Sequence, residues 1–129
     1  MEKEFIPYEH TLALKELGFN EPCIKEYHLK QLLNNSIGDE ARNSELVELY
    51  NEPDVIAAPT FSQAFRWFRE KKYQAEILWR GDFGDFCWKI GRFKYGSHFF
   101  SEDGFDTYEE AELECLKKLI EIVKTKETC

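Results

Sequence analysis

Cys87 and His98 are the residues of this chain best suited to nucleophilic chemistry, because a thiolate beside an imidazole is a compact activated nucleophile. A β-hairpin could bring the two together. Strand alternation, however, puts Cys87 on the face opposite Phe86 and Trp88, and no oxyanion donor accompanies it. Cys23 and His28, spaced Cys-x4-His, are the raw material for a metal site, with His10 and His98 elsewhere. Zinc takes four converging ligands, generally in two close pairs, and one loose pair falls short. The reading is therefore no metal and no cofactor. Asp82 and Asp85 lie in a turn, and Glu102, Asp103 and Asp106 fall in the loop before the last helix. Turn chemistry and capping account for these carboxylates, which lack the ligand alternation of a calcium loop. What remains is cationic. Arg66, Arg69, Lys71, Lys72 and Arg80 suit a small anionic ligand, such as a signalling nucleotide, or an acidic partner. A solvated helix face would carry the first four equally well.

The elements that must position these groups lie mostly between Pro59 and Val123, where fifteen of the twenty aromatic residues are found. Thr60 with Gln63 is a capping box, and Pro59 stops any upstream helix from running in. Phe61, Ala64, Phe65 and Phe68 share one face, which predicts an amphipathic helix over 61–72. Residues 74–80 and 86–93 alternate as strands about a Gly81–Asp85 turn, with Ile77, Trp79, Phe86, Trp88 and Ile90 on a common face. A second turn at 94–97 and a short strand at 98–101 complete a meander. Thr107 with Glu110 is another capping box. It opens a helix whose stripe is Ala111, Cys115, Leu116, Leu119, Ile120 and Val123. Both helices are expected to cover the face bearing Ile77, Trp79, Trp88 and Ile90, so that the tryptophans make scaffold.

Upstream, residues 5–17 read as a helix with Pro7 in its first turn, closed by Gly18 and Phe19. Residues 23–28 read as a strand, 29–33 as a helical turn, 34–39 as a loop, 44–50 as a short acidic helix and 55–58 as an edge strand. The expected fold is α+β: a small antiparallel β-meander packed against helices, a helix–strand–strand–(strand)–helix core with an N-terminal helix. It is assigned as a single domain over 1–129, with an N-terminal helix and connector (1–28), an acidic variable insert (29–58) and the core (59–129).

Composition excludes several classes. At 129 residues with 43% hydrophobic content, the chain can bury a core. No basic start or apolar run marks a signal peptide, and no segment approaches the roughly 20 apolar residues of a membrane span. No membrane association is expected, and the localisation reads as cytoplasmic, with Cys23, Cys87, Cys115 and Cys129 as reduced thiols. The formal charge of −8 is uneven: residues 1–59 carry −7 and residues 60–129 carry −1. Duplex nucleic acid is a poor partner for such a chain, because duplex affinity comes from cations on phosphate. The element order is that of double-stranded-RNA-binding domains, but Glu109, Glu110, Glu112 and Glu114 stand where a basic helix start is needed. Trp79, Phe86 and Trp88 could stack bases, yet core packing explains the same alternation.

Three segments carry a resemblance: Tyr8 with Leu12–Cys23, Ala58–Lys71 (Ala-Pro-Thr-Phe-Ser-Gln-Ala-Phe-Arg-Trp-Phe-Arg-Glu-Lys), and the Phe105–Lys124 helix. Together they resemble a group of small uncharacterised bacterial and phage proteins, many from mobile elements. The resemblance implies a setting, that of a phage or prophage accessory protein in the cytoplasm of its host, and no catalytic residue. The expectation is a non-enzymatic protein that binds a partner: an unknown protein, such as a host defence component, or a small anionic signalling ligand. The alternatives are a self-associating protein using Phe83, Tyr95 and Phe99, and a nucleotide hydrolase with a loop-built site.

Overall fold

In a computed structural model, which describes residues 4–34, 40–92 and 100–127, the elements run as follows. They are α1 (Tyr8–Glu16), β1 (Lys25–His28), β2 (Gln31–Asn34), α2 (Asn43–Tyr50), β3 (Ile56–Ala58), α3 (Phe61–Glu70), β4 (Tyr73–Arg80), β5 (Asp85–Arg92), β6 (Phe100–Phe105) and α4 (Tyr108–Glu127). The fold is α+β with two antiparallel three-stranded sheets, β2-β1-β3 and β4-β5-β6. The chain divides into two compact units, Met1–Gln63 and Ala64–Cys129.

In the first unit, α1 begins after Pro7 and closes as the sequence predicts. Gly18 takes φ +98°, the Phe19 amide donates to Leu14 O (2.9 Å), and the Gly18 amide donates to Lys15 O (3.0 Å). Strand β1 is central, with Tyr27 paired to Leu32 on one side and to Ile56 on the other. One face of this sheet carries the Phe5, Tyr27, Ile56 and Ala58 core, against which Tyr8, Leu12 and Leu32 pack. Helix α2 is capped from outside by Asn20 Oδ1, which accepts from the Ser44 amide (2.9 Å), and from within by its own Glu45, which accepts from the Arg42 amide (2.9 Å). Its buried Asn43 bridges the Phe19 carbonyl and the Ala57 amide, so a polar side chain is spent on closing backbone groups.

In the second unit, β4 and β5 pair Ala75 with Ile90, Ile77 with Trp88 and Trp79 with Phe86. The expected common face therefore exists. Helix α4 packs on β4, β5 and β6, with Ala111, Cys115, Leu116, Leu119, Ile120 and Val123 buried. Trp88 and Ile90 are buried, and Thr107 Oγ1 accepts from the Glu110 amide (3.1 Å).

Four expectations need correction. Residues 29–33 are no helical turn: Leu29 and Lys30 form a two-residue hairpin loop, both at positive φ (49° and 68°), and Gln31 opens β2. The third strand runs over 100–105 and takes in Glu102 and Asp103, which were assigned to a loop. A register shift opposite Phe86 and Trp88, with Gly104 at φ +90°, breaks the alternation by which that strand could have been recognised. Trp79 lies beyond the cover of α4 and is 58% exposed, so it is not scaffold. Finally, α3 ends at Glu70, and Lys72 follows at φ 76°. The turn expected at 94–97, Phe93 and His98 lie outside the described residues.

Candidate functional site

The cationic set is split by the strand between its members. Arg66 and Arg69 are exposed on α3, and the Lys71 ammonium sits 4.7 Å from the Trp67 ring centroid. Lys72 precedes β4 and Arg80 ends it. An eight-residue strand spans about 23 Å between its end residues, so Lys72 and Arg80 cannot grip one small anion. Arg80 is also occupied. Its Nε and Nη2 donate to the two carboxylate oxygens of Asp85 (2.7 Å each), Nη1 donates to Asp103 Oδ2 (3.1 Å), and Phe83 covers the guanidinium at 4.3 Å. This bidentate fork ties β4, β5 and β6 together. The hydrogen bond from Arg80 holds the Asp85 carboxyl below its usual range.

Two of the thiols are quiet. Burial pushes Cys23 and Cys115 up to about 12, with nearby carboxylates adding to the shift, so both are protonated and unreactive at neutral pH. Cys87 is buried, on the face opposite Trp88 as alternation requires. Cys23 bridges to Ala41 across the backbone, whereas His28 ends β1 and lies against Glu26. Among the described residues, no group of three or more His, Cys, Asp or Glu side chains could hold a metal ion. No described helix is long and apolar enough to cross a membrane.

Two constellations escaped sequence reasoning. In the first unit, the buried Glu26 carboxylate lies 2.6 Å from His28 Nε2, and Tyr50 meets the imidazole edge-on at 5.0 Å. Spacing i, i+2 on a strand was the available signal, since it places both side chains on one face. In the second unit, an aromatic row runs along the open end of the α4-facing surface. Trp79 lies 4.9 Å from Phe86, and Phe86 lies 6.0 Å from Tyr108, which is 44% exposed. Phe83, at the hairpin tip, is 73% exposed and covers the Arg80 guanidinium, which alternation sets on the face opposite Trp79. One turn beyond Tyr108, burial and the charge of Glu109 hold the Glu112 carboxyl above its usual range. Burial raises Tyr108 too, with Glu112 the next contributor. The alternation that identified Trp79 as inward was correct about the face; it could not reveal that α4 starts too late to cover that end.

No protein-family model matches the chain, and neither does any curated protein or any solved structure.

Proposed function

We propose that this chain is a non-enzymatic binding protein, an accessory protein of phage or prophage, which engages a partner protein through the open end of the β4-β5-β6 sheet. The observation that carries the reading is the exposed Trp79. A large aromatic side chain left more than half in water, in line with Phe86 and Tyr108, is the composition of an interface centre. The division of the cations between the two ends of β4, and the engagement of Arg80 by Asp85 and Asp103, weigh against the anionic-ligand reading. The burial of Cys87, on a strand face with no oxyanion donor in view among the described residues, weighs against a hydrolase built on it. Self-association is opposed by charge, because two copies at −8 each repel as they approach. A host defence component remains the partner of choice within the phage setting.

The test is affinity capture from host lysate with the wild-type chain and with Trp79→Ala/Phe83→Ser, followed by mass spectrometry. The expected result is a partner retained by the wild type and lost with the double variant, from a bait that light scattering shows to be monomeric. An empty capture with no nucleotide retained would end the proposal. A dimer that dissociates on Phe83→Ser would establish self-association instead.

A further inference from the structure

The aromatic row has a charge to go with it. Tyr108 and Glu112 stand one turn apart on α4, and Phe86 joins Tyr108 to Trp79. Among the described residues no cation pairs with Glu112, although Glu114 pairs with Lys117 (2.9 Å) and Glu121 with Lys118 (3.5 Å) further along the same helix. Arg80, next to Trp79 in the chain but on the opposite face of the sheet, is committed to Asp85 and Asp103. A helix N-terminus ordinarily repels cations through its dipole. Here Glu109, Glu110 and Glu112 within the first turn and a half offset that partial charge. A ring face attracts a cation through its quadrupole, Trp most strongly, and Arg stacks best because its guanidinium is planar and weakly hydrated.

We infer that Trp79, Phe86 and Tyr108, with Glu112 at their edge, form a seat for an arginine side chain presented by a basic segment of the partner protein. This rests on the binding-protein reading and adds the chemical class of the partner. The guanidinium lies against the Trp79 and Tyr108 rings, and its N–H groups donate to Glu112. A carboxylate kept half-buried without a cation is then explained: the cation arrives with the partner. The raised range of Glu112 agrees with that.

The experiment titrates the full chain with a nine-residue arginine peptide, and with the citrulline peptide of the same length, which keeps the shape and loses the charge. The readout is the nitrogen–proton spectrum, in which the indole N–H of Trp79 is assigned by Trp79→Phe. The Trp79 indole and the Tyr108 and Glu112 amides should move, while the buried Trp88 indole stays. Trp79→Ala and Glu112→Gln should each weaken binding about tenfold, and citrulline should bind no better than Glu112→Gln binds arginine. Unshifted Ile90 and Leu119 amides show that the variants fold. Equal affinity for wild type and both variants would overturn the seat and leave the binding-protein reading in place. Equal binding of citrulline would overturn it as a cation site. Failure of the arginine peptide to bind at low salt would overturn both the seat and the basic-partner class, while the lysate capture still decides separately whether a partner exists.

Discussion

Glu26 and His28 differ in what their removal does. The Glu26 side chain is 1% exposed and that of His28 24%, with 2.6 Å between Oε2 and Nε2. Taking away the imidazole withdraws one partner of a buried carboxylate, which typically costs more than the pair contributes. His28→Leu should therefore lower unfolding free energy by about 3 kcal/mol, whereas Glu26→Gln, which buries no charge, should cost about 1 kcal/mol. Glu26→Leu/His28→Leu should recover part of the His28→Leu loss. Urea denaturation of the four proteins checks this, and simple additivity would contradict it. Glu112 runs the other way. Its folded-state pKa lies above the ordinary carboxylate value, through burial and Glu109. Such a group contributes stability that is present below the unfolded pKa and lost as pH rises through the folded one. At pH 7 its ionised form thus strains the fold, and Glu112→Gln should raise Tm there while weakening arginine binding. The gain should vanish as pH falls towards the carboxylate range. A Tm gain independent of pH would show that ionisation is not the cause.

At the scale of elements, the legible parts of this fold are those where local chemistry and final geometry agree. Gly18 and Phe19 announced the end of α1, and the amide of Gln63 does bond to Thr60 Oγ1 at 3.2 Å. Periodicity likewise gave β4, β5 and α4. The β1–β2 hairpin was illegible because its loop is Leu-Lys, where a two-residue turn with both residues at positive φ ordinarily calls for Asn-Gly. Leu29 is 79% exposed, so it gains nothing from burial that would offset the left-handed backbone. That conformation costs an L-residue roughly 1–2 kcal/mol. Leu29→Asn/Lys30→Gly should accordingly stabilise the protein by about 2 kcal/mol, read as a higher denaturation midpoint at unchanged slope. A loss of stability would mean that the Lys30 contact with the Tyr8 ring, at 5.9 Å, outweighs backbone strain. The candidate site was half legible for a related reason. Trp79, Phe86 and Tyr108 were all visible as aromatics, but which of them a helix leaves open depends on where α4 begins relative to β4, a tertiary fact with no local signature.

For the molecule as a whole, the charge asymmetry seen in the sequence coincides with the division of the backbone. Residues 60–63 carry no charge, so the first unit, Met1–Gln63, holds −7 and the second, Ala64–Cys129, holds −1. The seat inferred for arginine therefore belongs to the nearly neutral unit, while most of the net charge belongs to the other. These two contributions act on different steps of association. Net charge works at long range, raising the frequency of encounter with a basic partner, and is screened over about 8 Å at physiological salt. Stacking on Trp79 and pairing with Glu112 act only after contact, and interface contacts of that kind govern dissociation. Stopped-flow measurements with the arginine peptide should separate them. Raising salt from about 50 mM to about 500 mM should slow association at least tenfold and change dissociation little, because the Debye length contracts well below the dimensions of the protein. Trp79→Ala should do the reverse, speeding dissociation about tenfold with association nearly unchanged. If salt and Trp79→Ala both acted on association alone, the field of the acidic unit would account for the whole affinity and the aromatic row would have no part in holding the ligand.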